Sequence, residues 1–170
     1  MQFIRTNSRR HLPPLVLTGG PAVGKSVTGR RLAENRGRAA FVVAGAEAPW
    51  RGPEGTAQAA LGAENACGLA RRFLANGFDV VVADVLTPAT TEIYRRELAA
   101  CRIVHLGADP EEARRRAMMR PVGLTDEEFE LLHLRNDAHP PDVDVRLQVA
   151  ALDLGQQIAA VADCWAADAD

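Results

Sequence analysis

Short apolar runs alternate with longer amphipathic stretches along the whole chain. The runs fall at Leu15–Thr18, Ala39–Ala44, Asp79–Asp84, Arg102–Leu106 and Asp144–Val149, and each has the length of a strand rather than a helix. In the third, Val80-Val81-Val82-Ala83 carries no polar position, as in a parallel strand covered on both faces. Between them the polar positions recur at helical spacing. One helix is expected from Gly24 to about Asn35, and a long one from Thr56 to Asn76 with Gly77 as its left-handed terminator. On the long helix Leu61, Ala66, Leu69, Ala70 and Phe73 are expected to share the buried face.

Capping residues mark where the later helices begin. Thr87-Pro88 reads as an N-cap followed by proline at the first helical position, and Asp109-Pro110 repeats the pattern with Glu111 and Glu112 in the first turn. Thr125-Asp126-Glu127-Glu128 is a capping box, flanked by Leu124 and Phe129 as a hydrophobic staple. Asp153 caps a last helix bearing a core stripe of Leu154, Ile158, Val161 and Trp165. Strands alternating with helices predict an α/β fold: a five-stranded parallel sheet with helices on both faces, a three-layer sandwich. Residues 1–12, with Arg5, Arg9 and Arg10 but no apolar segment, read as a loose basic arm before a single domain at 13–170.

Composition narrows the function classes. The net charge of −2 argues against a nucleic-acid partner recruited by overall charge. No apolar stretch reaches membrane-spanning length, so no membrane partner is expected. Cys67, Cys101 and Cys164 are odd in number and lack metal-ligand spacing, which suits reduced thiols in a cytoplasmic protein.

The chemistry concentrates in Gly19-Gly20-Pro21-Ala22-Val23-Gly24-Lys25-Ser26, placed between the first strand and the first helix. Glycine, four residues, then Gly-Lys-Ser is the spacing of a phosphate-binding P-loop. Its glycines let backbone N–H groups turn inward toward phosphate oxygens. The helix start, through Val27, adds unpaired N–H groups and a positive dipole end. Lys25 would bring a mobile positive charge to the β/γ-phosphates, and the Ser26 hydroxyl would ligate Mg²⁺. Of 20 Lys and Arg residues, Lys25 is the only lysine, so the loop holds the chain's single side-chain ammonium. Nucleotide binding follows.

Further candidates surround this motif. Asp84 ends the apolar third strand, and open α/β sheets bind ligands at that edge. It could hold Mg²⁺ or accept a proton from an acceptor hydroxyl. Arg116 and Arg120, four apart on one helix, are candidates to close over the transferring phosphate from a small lid spanning about 114–136, with Arg135 a weaker third. Arg114 and Arg115 belong to the same cluster, whose bland alternative is a solvated face paired with Glu111 and Glu112. His133 and His139 flank Asp137 without metal spacing and read as surface residues, and His105 as a structural residue in its strand. Asp142 and Asp144 are expected to mark the turn into the fifth strand. Trp50 could contact substrate or anchor its loop.

Taken together, Gly19–Ser26, the Val80–Leu86 segment and the Arg-rich 109–120 helix resemble the small P-loop phosphotransferases. That group includes chloramphenicol phosphotransferase, gluconate kinase, shikimate kinase, polynucleotide kinase and the zeta-toxin kinases. The chloramphenicol phosphotransferase branch is the most similar, since its third strand also runs into an Asp-Val-hydrophobic segment. The resemblance implies strand order 2-3-1-4-5, ATP and Mg²⁺, and transfer of the γ-phosphate to a hydroxyl of a small-molecule acceptor such as an antibiotic, sugar or nucleoside.

One departure stands out. Several such kinases end the second strand in an aspartate that acts as base, whereas Phe41-Val42-Val43-Ala44-Gly45-Ala46 has no carboxylate and the first acid is Glu47. Glu47 or Asp84 takes over this work, or activity is lost, or a stretch is missing between Ala40 and Gly45, which would leave a broken backbone there. The favoured expectation is the missing stretch. The alternative to a kinase is therefore an ATP-binding P-loop module without phosphotransfer. A GTPase is the weakest reading, because the chain has no Asn-Lys-x-Asp guanine signature. Oligomeric state and acceptor identity stay open.

Overall fold

The computed structural model describes residues 11–44, 55–119, 125–138 and 141–167. Five strands form one sheet: β1 (Leu15–Thr18), β2 (Ala39–Val43), β3 (Asp79–Ala83), β4 (Arg102–Gly107) and β5 (Val145–Gln148). Six helices intervene: α1 (Lys25–Arg36), α2 (Gly55–Ala75), α3 (Pro88–Glu97), α4 (Pro110–Met119), α5 (Asp126–Ala138) and α6 (Leu154–Ala166). All strand pairs are parallel, and the order is β2-β3-β1-β4-β5. The α/β three-layer expectation and the 2-3-1-4-5 order both hold. Among the described residues no helix is long and apolar enough to cross a membrane.

Alternation along each strand splits the interior into two cores. Val16, Val42, Val80, Val82 and Ile103 point toward Ala63, Ala66, Cys67 and Ala70 of α2 and Ile93 and Tyr94 of α3. Their strand neighbours Leu15, Leu17, Val81, Val104 and Leu106 point the other way, onto Leu32 of α1 and Val161 and Trp165 of α6. Each fully buried aliphatic side chain contributes about 1.5–3 kcal/mol, so the central strands have one stable register. The Trp165 indole closes the second core by donating to the Pro13 carbonyl at 2.7 Å.

The expected face of α2 needs correcting. Leu61 and Leu69 are 55% and 41% exposed, and the buried stripe is Ala63, Ala66, Cys67 and Ala70. Small side chains at that spacing bring the helix close to the sheet, and the two leucines lie outside that face. The stripe on α6 also differs: Leu154 is exposed, while the polar Gln157 is buried among the apolar positions.

The caps behave as their chemistry requires. Thr87 and Thr90 form a reciprocal capping box on α3, and Asp153 and Gln156 form another on α6. Asp109 accepts from the Glu112 N–H at the start of α4. Gly77, with φ 75°, turns the chain after α2. The proposed staple of Leu124 on Phe129 involves a residue outside the described set.

No break interrupts β2. Ala39 to Val43 pair residue for residue with Asp79 to Ala83, and the Ala44 N–H continues the ladder to the Ala83 carbonyl. The expected missing stretch is thus absent from residues 39–44, and β2 ends without a carboxylate. At the amino end of β3 the buried Asp79 carboxylate accepts from Arg36 Nε at 2.6 Å and from the Leu12 N–H at 3.1 Å, with His11 Nδ1 at 3.3 Å.

Candidate active site

The loop between β1 and α1 is shaped by close approaches that a side chain would prevent. Gly19 has φ +135°, and a Cβ there would lie 2.2 Å from the Leu106 carbonyl oxygen of the neighbouring strand. Ala22, with φ 61°, holds a left-handed conformation that costs a non-glycine residue roughly 1–2 kcal/mol. Gly24, also left-handed, is the N-cap of α1 and offers no side-chain cap. With no acid in its first turn either, α1 leaves its first N–H groups directed at the loop. The contrast with the self-capped α3 and α6 is chemical: this helix start is open to an anion.

Lys25 folds back over the loop. Its ammonium donates to the carbonyls of Gly19 at 2.9 Å and Gly20 at 2.7 Å. Burial lowers its pKa to about 8, opposed by the charge of Asp84. The positive charge is held in partly dehydrated surroundings, where an added phosphate gains more than it would in water.

Asp84 follows β3 directly, and its N–H donates to the Leu17 carbonyl, so the residue sits level with the end of β1. Oδ1 accepts from the Val85 N–H at 2.7 Å and Oδ2 from the Tyr94 hydroxyl at 2.8 Å. Burial raises its pKa, and the Tyr94 hydrogen bond, the Val85 N–H and the Lys25 charge offset part of that rise. Tyr94 is wholly buried, and burial together with the Asp84 charge keeps its phenol protonated as a donor. No local pattern pointed to this pairing, since Tyr94 lies ten residues on, along α3.

Ser26 is exposed at the mouth of the loop. Among the described residues no cluster of three or more His, Cys, Asp or Glu could hold a metal by itself. Nucleotide-borne Mg²⁺ draws most of its oxygens from phosphate and water and needs only one or two protein ligands. An exposed hydroxyl and a carboxylate with lone pairs remaining beyond its two hydrogen bonds fit that demand.

The arginine cluster divides. Arg114 pairs with Glu130, tying α4 to α5, and Arg115 pairs with Glu112. Arg116 Nε also donates to Glu112 at 2.7 Å, while its Nη2 donates to the Val149 carbonyl at 2.9 Å, just past β5. Its Nη1 stands 3.5 Å from Gln157 Oε1. The Gln157 amide Nε2 donates in turn to the Val23 carbonyl at 3.0 Å and the Thr28 hydroxyl at 2.9 Å. Arg116 and the back of the phosphate loop therefore share one buried amide. Sequence reading missed Gln157; a polar residue inside an apolar helical stripe was the available signal.

His133 corrects a second expectation. It is buried, 7% exposed, rather than on the surface. Its ring lies against the loop, with Cε1 2.6 Å from where a Cβ on Gly20 would stand. Phe129, one turn earlier on α5, packs on the imidazole with ring centroids 4.7 Å apart. His105 is buried within β4, as expected of a structural residue, and Asp144 braces the approach to β5 by accepting from Arg95 and the Ile103 N–H. Arg120, Glu47, Trp50 and His139 lie outside the described residues, as does the side chain of Arg135.

No protein-family model matches the chain, and no curated protein sequence matches it. Solved structures do. A gluconokinase from Sinorhizobium meliloti 1021 is 20% identical, with 95% of each chain covered and a TM-score of 0.67. A shikimate kinase from Bacteroides thetaiotaomicron is 16% identical over 89% of this chain and 97% of its own, with a TM-score of 0.62. A deoxyadenosine kinase from M. mycoides, solved with bound dATP, is 12% identical over 88% and 97%, with a TM-score of 0.56. At these identities the likeness is one of fold: the chain has the architecture of the P-loop kinases.

Proposed function

We propose that this chain is an ATP-dependent phosphotransferase that moves the γ-phosphate to a hydroxyl of a small molecule. The observation that carries the reading is the sole lysine folded over an uncapped, glycine-built helix start, with the charge of Asp84 at the end of the neighbouring strand β3 acting on it. Phosphoryl transfer asks mainly for positioning and charge stabilisation, and these groups supply both. The neighbours' acceptors, as their names give them, are a sugar acid, shikimate and a nucleoside, which supports a small hydroxyl compound as a class. Antibiotics stay within that class. Free thiols at Cys67, Cys101 and Cys164 suit a cytoplasmic setting.

In this reading the backbone amides from Gly19 to Val27 hold the polyphosphate, and Lys25 Nζ exchanges its carbonyl partners for phosphate oxygens. Ser26 and Asp84 would hold Mg²⁺. When bound, the metal neutralises charge on the β- and γ-phosphates. The acceptor oxygen forms a bond to the γ-phosphorus as the bond to the β–γ bridging oxygen breaks, leaving ADP. The acceptor's proton passes to Asp84 or to water. Arg116, with Arg120 four residues later in the sequence, is assigned to the nucleotide's phosphates, and the bonds of Arg116 to Val149 and Gln157 tie that role to the loop. The test is ADP release across a panel of sugars, nucleosides and antibiotics: acceptor-dependent release that collapses in Lys25→Ala supports the reading.

A second reading has one specific observation in its favour. Unbroken β2 ends in Val43 and Ala44 where a base would be expected. A nucleotide-binding module without transfer would bind Mg-ATP yet release no acceptor-dependent ADP anywhere on the panel.

A further inference from the structure

Two features remain unused by that mechanism: the buried imidazole of His133 on α5 and the missing side chain of Gly20 in the loop beneath it. Gly20 does not need to be glycine for its backbone, because its φ lies outside the left-handed region. What its missing side chain allows is contact with His133, whose Cε1, Nδ1 and Nε2 would stand 2.6, 2.9 and 3.2 Å from an added Cβ. A ring at that distance touches the loop backbone itself.

The same residue receives the lysine. Lys25 Nζ donates to the Gly20 carbonyl at 2.7 Å. The ammonium that serves the β/γ-phosphates and the imidazole of α5 thus converge on one residue of the cradle. Phe129 supplies the apolar anchor that seats the helix, and Arg114–Glu130 fastens it to α4. Leu131 and Leu134 on its remaining faces are exposed, so α5 meets the loop along the Phe129–His133 edge. An apolar side chain in place of His133 would pack as well on glycine. An imidazole adds a ring N–H donor, in either tautomer, at the residue whose carbonyl also holds Lys25 Nζ.

We propose that His133 is a phosphate-contacting residue of α5, donating a ring N–H to the terminal phosphate of a bound nucleoside triphosphate. The assignment rests on the nucleotide-binding reading above and deepens it. A hydrogen bond to a phosphate oxygen is charge-assisted, so its loss weakens binding about tenfold or more. Mg-ADP, which lacks the terminal phosphate, loses far less.

The experiment measures dissociation constants for Mg-ATP and Mg-ADP by calorimetry on the full chain, with wild type, His133→Gln, His133→Leu and Gly20→Ala. Thermal unfolding checks that each variant is folded. The proposal expects His133→Leu to weaken Mg-ATP about tenfold or more while Mg-ADP changes by less than about threefold. His133→Gln, whose amide can still donate, should recover part of the loss. Gly20→Ala, which displaces the ring, should imitate His133→Leu, and the double variant should be no worse than either alone. A ¹⁵N-labelled imidazole should shift with Mg-ATP more than with Mg-ADP. Equal losses for both nucleotides, or a lowered unfolding temperature with unchanged Mg-ATP affinity, would make His133 a packing residue and overturn the proposal. Wild type that binds neither nucleotide would overturn the parent reading as well, a result distinct from either of those.

Discussion

The Tyr94 hydroxyl donates to Asp84 Oδ2 at 2.8 Å, so a residue in the middle of α3 aims the carboxylate at the end of β3. The bond opposes the burial that pushes the Asp84 pKa up. Tyr94→Phe removes that support, and the carboxyl pKa rises further. If Asp84 works ionised, the acid limb of the ADP-release profile moves to higher pH while the rate on the alkaline side changes little. Asp84→Asn should lower the rate about 10²-fold or more at every pH. An acid limb that stays in place in Tyr94→Phe would remove Asp84 from the ionisation that the profile reports.

Lys25, with a pKa of about 8, titrates within reach of ordinary buffers. Bound phosphate favours the ammonium, so the pKa in the complex lies above the value in the free protein. Above pH 8, binding therefore takes up a proton, and affinity for Mg-ATP weakens as pH rises, by at most about tenfold per pH unit. Calorimetry in two buffers of different ionisation enthalpy should detect the proton. Lys25→Arg, charged throughout, should bind less well but with a flat profile. Stronger binding at higher pH would contradict this account.

Gln157 links α6 to the loop through Val23 and Thr28. Gln157→Leu keeps the volume but strips a buried carbonyl and hydroxyl of their donor. The expected loss is about 1–3 kcal/mol of stability, together with weaker Mg-ATP binding as the Val23 carbonyl loses its support. Chemical denaturation and calorimetry on one preparation test both. A stable variant with native affinity would show that the loop holds its own shape.

Asp79, far from the cradle, is a pure stability site. Its carboxylate is 2% exposed beside Arg36. Burial would raise its pKa, but the bonds from Arg36, Leu12 and His11 prevail and hold it below the ordinary value. The stabilisation is complete above the unfolded-state pKa of about 3.9 and disappears as pH falls through the lower folded-state value. Asp79→Ala should cost about 1–3 kcal/mol at neutral pH, because it removes the acceptor of the Leu12 N–H and of a charge-assisted bond from Arg36. It should also flatten the acid end of the stability curve, with Mg-ATP affinity unchanged at temperatures where the variant is folded.

Local patterning carried the architecture a long way. Apolar runs separated by capped helices were enough to predict five parallel strands and helices on both faces, because burial period and cap chemistry are properties of neighbouring residues. The phosphate loop was legible for the same reason: Gly19 to Ser26 are contiguous, and the spacing itself performs the chemistry. Contacts across the fold were not legible. Tyr94 meets Asp84, Gln157 meets Val23 and His133 meets Gly20 only once separate elements are packed, and nothing in the local sequence around His133 distinguished the buried edge of α5 from its exposed leucines. The buried face of α2 was misjudged likewise, since closeness to the sheet selected alanine and cysteine over leucine. Sequence determined which segments are strands, helices and cradle. Tertiary structure decided which side chains attend that cradle, because long-range packing fixes partners that no spacing along the chain encodes.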